Sequence, residues 1–186
     1  GDIAVSSSSG QIAVFFENVN TPWWKTNVTG PATSIAFDPS GNLYALDPTG
    51  PSGTGSVDIY GPGSSTPAQT IQNGIDAPAD LTVDNTGTLY VLNCVFESTA
   101  SCPSPPNVAV YASGTTSPTR VLENGVENSQ AAQVAGRHLL SVDSSQNLYV
   151  ANTSANNVVV FPPNVTTPSE TISKNVFGPV TIDTYP

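Results

Sequence analysis

The segment LTVDNTGTLY, residues 81–90, is the most informative part of this chain, because close copies of it occur twice more. They are IAFDPSGNLY at 35–44 and LSVDSSQNLY at 140–149. Each copy predicts a strand, a tight turn and a second strand, since the Asp can accept hydrogen bonds from turn amides and the Gly supplies a positive φ. In the third copy Gln146 replaces the Gly, and we expect an adjusted or strained turn there.

A second landmark alternates with the first. It is an apolar segment that ends in Phe or Tyr and is followed seven residues later by a proline. The prolines are 45, 51 and 50 residues apart, a period that indicates a solenoid or a propeller when the unit is built of short strands. The four copies are 12–15 with Pro22, 57–60 with Pro67, 108–111 with Pro118, and 158–161 with Pro168.

These landmarks predict an all-β fold: a four-bladed β-propeller with four antiparallel strands per blade, forming one domain over residues 1–186. The expected blades are about 30–72, 78–123, 138–173, and 1–27 completed by 179–186. Val180–Asp183 matches only the first strand of a repeat, whereas Ile3–Val5 matches a second strand. We therefore expect the C-terminal strand to join the N-terminal blade, which would remove an exposed sheet edge. This pairing would form within one chain or between copies.

Composition and charge narrow the classes of partner. The chain has 4 Lys+Arg against 14 Asp+Glu and a net charge of -10, which disfavours nucleic acid. Only 10% of residues are charged, so polarity comes from Ser, Thr, Asn and Gln, a tendency of secreted and cell-surface proteins. No apolar run reaches the length of a membrane span. With no Met and no leader, we expect a mature chain, and a fragment of a longer protein is the alternative.

Two kinds of covalent modification are predicted. Cys94 and Cys102 lie close together in a turn-rich insertion, which favours a small disulfide-closed loop over two reduced thiols. Asn-X-Ser/Thr sequons make Asn27, Asn152 and Asn164 candidate glycosylation sites, provided that the source secretes through a glycosylating pathway.

The Asp-x-x-Gly-Asn/Thr-Leu-Tyr pattern and the following Val-x-Val-Phe/Tyr strand resemble the NHL repeat and the related six-bladed lactonase-like propellers. The resemblance covers nearly the whole chain and implies that strand one lines the axis and strand four is outermost. It also implies a metal-dependent hydrolase as an alternative, with Asp80, Asp84, Asp143 and Asp183 as axial candidates. However, Asp84, Asp143 and Asp183 hold equivalent places in the repeat, as does Asp38, so the hairpin explains them equally well. We assign no catalytic residue and no cofactor, and an axial calcium ion is left open by the oxygen-rich turns.

Two surfaces are candidates for binding. Trp23 and Trp24 lie on the expected outermost strand, where the other blades carry small or polar residues. We predict an exposed aromatic contact for a partner protein or a glycan, the alternative being that the pair covers core beside Phe16. Arg137 and His138 follow a long connection, a feature typical of binding faces, although a lone His is more often structural.

The sequence thus favours a secreted, non-catalytic propeller that acts as a binding or assembly module for glycans or surface proteins. One alternative is a structural subunit of an extracellular filament, assembled head to tail by strand exchange. The other is a divergent metal-dependent lactonase-like hydrolase.

Overall fold

The computed structural model describes residues 2–28, 30, 32–52, 54–93, 105–127 and 138–184. These residues form strands, turns and bends, and none of them belongs to a helix able to span a membrane. The strands they form are β1 (Ile3–Ser6), β2 (Gln11–Phe15), β3 (Trp24–Asn27), β4 (Ser34–Phe37), β5 (Leu43–Asp47), β6 (Ser56–Tyr60), β7 (Gln69–Ile71), β8 (Pro78–Val83), β9 (Leu89–Asn93), β10 (Asn107–Tyr111), β11 (Arg120–Leu122), β12 (Leu140–Val142), β13 (Leu148–Asn152), β14 (Asn157–Phe161) and β15 (Glu170–Ile172).

The strands form four antiparallel sheets, each a simple meander, which fits the predicted all-β, propeller-like fold. The first sheet has three strands, β1–β3, and the second (β4–β7), third (β8–β11) and fourth (β12–β15) have four each. The repeated hairpins join the first two strands of these last three sheets. Gly87 has a φ of 81° in its turn, and Gln146 is held at 65°, the strained turn expected from its sequence.

Apolar side chains lie between successive sheets rather than in one central core. Three clusters join the first sheet to the second, the second to the third, and the third to the fourth. Successive side chains of a strand point to opposite faces of its sheet, so one set packs on one neighbouring sheet and the other set on a different one. Ile12 and Leu43 belong to the first of these clusters, Leu46 and Leu89 to the second, and Leu122 and Leu148 to the third.

The aromatic residue that ends each third strand seals a junction between sheets. Tyr60, Tyr111 and Phe161 are all at most 1% exposed. The Tyr60 hydroxyl donates to the Asn27 carbonyl at 3.4 Å, and the Tyr111 hydroxyl donates to the Asn73 carbonyl at 2.8 Å. Each bond crosses to the preceding sheet, so the second sequence landmark encodes packing between sheets.

The C-terminal segment lies beside the innermost strand of the fourth sheet. Thr181 forms a parallel bridge with His138, and the Ile182 N–H donates to the His138 carbonyl at 2.8 Å. The Thr184 hydroxyl donates to the Val142 carbonyl at 2.9 Å. Among the strand pairs of the described residues β1 pairs only with β2, so the expected pairing of 180–183 with β1 is not seen there and ring closure stays a prediction.

Candidate functional site

The repeated Asp is the hydrogen-bond acceptor of its own hairpin. Asp84 Oδ1 accepts the N–H groups of Thr86 at 2.8 Å and Thr88 at 2.9 Å, and its Oδ2 accepts the Tyr90 hydroxyl at 3.2 Å. Asp143 repeats this pattern with Ser145, Asn147 and Tyr149, and Asp38 repeats it with Ser40, Asn42 and Tyr44. The whole Asp-to-Tyr motif is therefore one local hydrogen-bonded unit.

The electrostatics of the hairpin agree with that structural role. Burial raises the pKa of Asp84, but hydrogen bonds from Thr86 and Thr88 outweigh it, so the pKa lies below its ordinary value. Burial and the adjacent Asp84 carboxylate together raise the pKa of Tyr90 to about 12. The pair thus keeps a charged carboxylate and a neutral phenol that donates to it.

A cavity of about 220 Å³ lies where two of these hairpins approach the C-terminal segment. Asp84, Asp143 and Thr184 are on its wall. Both carboxylates already accept hydrogen bonds from their turns, and Asp183 accepts the Thr184 N–H at 2.9 Å. No group of three or more His, Cys, Asp or Glu suited to a metal is found in the described part of the chain. The hydrolase and calcium alternatives stay untested predictions.

Asp80 joins three innermost strands and is fully buried. Its Oδ1 accepts the Ser34 hydroxyl of β4 at 2.8 Å and the Leu81 N–H at 2.9 Å. Its Oδ2 accepts the N–H groups of Leu139 at 2.6 Å and Leu140 at 3.0 Å, at the start of β12. One carboxylate thereby links the second, third and fourth sheets where they converge.

The surroundings of Asp80 explain how a carboxylate can lie there. Burial raises its pKa above the ordinary value, while the donors on both oxygens favour the charged form. His138 Nδ1 is 3.8 Å from Asp80 Oδ1, and its side chain is 56% exposed. His138 therefore lies at the solvent end of this junction. Arg137, predicted with it as a binding residue, lies outside the described residues.

Trp24 is buried, whereas we expected both tryptophans to be exposed. It is only 6% exposed and packs on the second sheet, its ring 6.2 Å from that of Tyr60. Its Nε1 is buried without a hydrogen-bond partner among the described residues. Trp23, which directly precedes β3, is 38% exposed and is therefore the tryptophan that is open to a partner.

Trp23 and Phe16 form an exposed aromatic platform. Their ring centroids are 4.7 Å apart and their planes differ by 9°. Trp23 is 38% and Phe16 47% exposed. A Cβ on Gly63 would lie 3.3 Å from Trp23 Cζ3, so the indole rests against the turn that joins β6 and β7 of the second sheet. The Trp23 N–H donates to the Val14 carbonyl at 3.0 Å, which fixes the platform on β2.

The remaining predicted sites fall in different environments. Asn152 is 1% exposed, and its side chain bonds the Gly125 carbonyl and the Asn157 side chain, so the folded chain leaves no room for a glycan there. Asn27 and Asn164 are exposed and stay candidates. Cys94 and Cys102 lie outside the described residues.

Three features of these sites are not evident from sequence. Ser34 bonds Asp80 across 46 positions, and nothing around either residue marks the pair. Gly63 lies in a turn of Gly-Pro-Gly, which signals backbone freedom but not that an indole packs on it. The sequence marks Phe16 only as a neighbour of the two tryptophans, although its stacking on Trp23 makes it half of the platform.

Comparison with known proteins identifies a fold rather than a family. No protein-family model matches the chain, and no curated protein matches it. A solved structure of hydrazine synthase from Kuenenia stuttgartiensis is similar in fold, with a TM-score of 0.64 and 14% sequence identity. The match covers 88% of this chain and 43% of that one, so the chain spans less than half of its length. Together with the four antiparallel sheets, this likeness supports a propeller-like fold.

Proposed function

We propose that this protein is a binding module of the cell exterior that holds a neutral glycan on the Phe16–Trp23 platform. The observation that carries the proposal is the pair of parallel, stacked and exposed rings. Sugar rings present flat C–H faces that pack on aromatic rings, and Trp combines a large apolar surface with one polar group. The weakly charged, Asn- and Thr-rich composition supports placement outside the cell.

The platform has the rigidity that a shallow binding surface needs. The Val19 N–H donates to the Phe16 carbonyl at 3.1 Å, closing a turn beside the ring. On the other side, Trp24 lies 6.0 Å from Trp23 and is itself buried. Because both rings are held before a ligand arrives, little conformational entropy is lost on binding.

The rim of the platform suits hydroxyl groups. Asn18, Asn20 and Thr21 follow Phe16 on the exposed connection between β2 and β3. Amide and hydroxyl side chains can donate to and accept from sugar hydroxyls. A net charge of -10 would repel acidic glycans, so a neutral ligand fits best.

We also propose a more specific assignment of the propeller-like fold. The Asp hairpins and the buried aromatic ends of the third strands support membership of the NHL-like and lactonase-like propellers. Because the hairpin carboxylates are occupied by turn amides, the aromatic platform supports binding better than they support hydrolysis.

Isothermal titration with neutral cello-, malto- and chito-oligosaccharides tests the proposal. We expect one of these series to bind and to lose at least about tenfold in affinity in Trp23→Ala and in Phe16→Ala. Val121→Ala, an exposed apolar change on β11, serves as the matched control and should bind normally. Absence of binding by all three series, or binding that survives both platform variants, would contradict the proposal, and a protein partner would then be sought.

A further inference from the structure

The first and fourth sheets each expose apolar positions whose equivalents the inner sheets bury. We call the side of the first sheet that carries Ile3, Val5 and Phe15 the head face. Ile3 is 57% and Val5 53% exposed, and Phe15 is half-buried. The strand registers identify the residues that occupy these three positions in the second, third and fourth sheets. All of those residues are at most 2% exposed. These are Leu43, Leu89 and Leu148 for Ile3; Ala45, Val91 and Val150 for Val5; and Tyr60, Tyr111 and Phe161 for Phe15.

The opposite end of the molecule shows the complementary face. We call the side of the fourth sheet that carries Tyr149 and Ile172 the tail face. Ile172 is 36% exposed, whereas its equivalents Ile71 and Leu122 are each 1% exposed. Tyr149 is half-buried, whereas Tyr44 and Tyr90 are each 4% exposed. Ala151, Val158 and Val160 on the same side are at most 8% exposed, so the exposed part of the tail face consists of Ile172 and Glu170 beside the half-buried Tyr149. The head face thus offers the larger apolar surface to a further sheet, and the tail face a smaller one.

We infer that the head face of one copy packs on the tail face of a second copy of this chain. The contact would continue the same sheet-on-sheet packing that joins the four sheets within one molecule. The charges agree, because Lys25 is exposed on the head face and Glu170 on the tail face. This self-association goes beyond glycan binding, and neither Phe16 nor Trp23 takes part in it.

The C-terminal segment supplies a second contact at this junction. Thr181 and Ile182 run beside β12 and leave their other edge unpaired among the described residues. β1 of the first sheet likewise has one edge unpaired in the described chain. In the fourth sheet Leu140 pairs with Val150 and Val142 with Leu148. By that register, Val180 of one copy would pair with Val5 of the next, and Ile182 with Ile3, completing a four-stranded sheet.

The contact joins two different faces, so two copies can close into a ring or many can extend as a filament. The ring and the filament both require the same head-to-tail interface, so substitutions in that interface test both. A change on either face blocks assembly of that variant with itself. Mixing a head-face variant with a tail-face variant leaves one intact junction per pair.

The test is light scattering of the full chain during size exclusion, over a range of protein concentrations. We expect the unmodified chain to form dimers or longer species, and Val5→Lys and Ile172→Lys each to be monomeric. An equimolar mixture of the two variants should form dimers and nothing larger. Val121→Lys, which places a charge at a 42% exposed valine on neither end face, should assemble like the unmodified chain.

Circular dichroism of each variant checks that it is folded, as expected for substitutions at exposed positions. A monomeric unmodified chain at every concentration would overturn the inference. Assembly that persists in Val5→Lys and Ile172→Lys would overturn it as well.

Discussion

The carboxylate of Asp80 accepts the backbone N–H of Leu139 at 2.6 Å, across 59 positions of sequence. The bond joins the innermost strands of the third and fourth sheets, and the Ser34 hydroxyl brings the second sheet to the same carboxylate. In a propeller-like fold the blades converge at their inner strands. A single buried carboxyl group thus links three sheets.

Replacing Asp80 with Asn should strongly destabilise the protein. An amide keeps one acceptor oxygen but points an NH₂ group at the N–H groups of Leu139 and Leu140. We expect a loss of about 3 kcal/mol in the free energy of unfolding, measured with urea. Ser34→Ala, which removes one donor, should cost about 1 kcal/mol. Equal and small effects of both variants would show that Asp80 does not hold the blades together.

Acid should weaken the repeated hairpins. The pKa of Asp84 is lower in the folded chain than its ordinary value, so its stabilising contribution is complete above the unfolded pKa. That contribution is lost as the pH falls through the folded pKa. Urea unfolding between about pH 7 and about pH 3 should show a smaller decline in stability for Asp84→Asn than for the unmodified chain. Parallel pH curves would contradict this role.

Alkali should weaken the same hairpin through Tyr90. Its folded pKa of about 12 exceeds the ordinary 10.0, so the neutral phenol stabilises the fold below the unfolded pKa. This stability is lost as the pH rises from 10.0 towards about 12. Tyr90→Phe should flatten that part of the pH curve. Titration by tyrosinate absorbance should also lose one late-titrating group, and an unchanged titration would contradict the assignment.

The two tryptophans should differ sharply in their effect on stability. Trp24 is buried between the first and second sheets, so Trp24→Ala leaves a cavity and should cost about 3–5 kcal/mol. Trp23→Ala removes an exposed ring and should cost about 1 kcal/mol or less. Thermal unfolding followed by circular dichroism measures both. A larger loss in Trp23→Ala would mean that the platform is a folding element rather than a binding surface.

Gly74 should tolerate a side chain less well than Gly114. Both have positive φ, 79° and 76°, so Ala strains the backbone similarly at each. A Cβ at Gly74 would lie 2.8 Å from Pro118 Cγ and 3.0 Å from the Tyr111 hydroxyl, whereas at Gly114 it meets nothing within 4 Å. We expect about 1 kcal/mol for Gly114→Ala and about 3 kcal/mol for Gly74→Ala. Equal losses would contradict the close contact between sheets.

Local patterns in the sequence predicted the hairpins well and the exposure of side chains less well. The Asp84-to-Tyr90 hairpin could be predicted because all of its hydrogen bonds lie within six positions. Alternation predicts that Trp23 and Trp24 face opposite sides, whereas both lie against the second sheet, Trp24 at Tyr60 and Trp23 at Gly63. The Asp80 junction could not be predicted, because its donors Ser34 and Leu139 are far away in sequence.

The partner of each chain end likewise could not be predicted from local sequence patterns. The matching strand patterns of 180–183 and 3–5 predicted a shared sheet. In the described chain 181–184 lies beside β12, and the free edge of β1 has no partner strand there. Pattern alone does not say which copy supplies that partner. We infer pairing between copies from the exposure of Ile3 and Ile172, since each is a position that the inner sheets bury.

Hydrogen–deuterium exchange of the backbone amides in β1 tests the central claim most directly. An unpaired edge strand exchanges quickly, whereas pairing with a second copy protects it. We predict that protection of residues 3–6 rises with protein concentration, together with that of 180–183, while protection of β5 and β9 stays constant. Protection of residues 3–6 that does not depend on concentration would contradict the account.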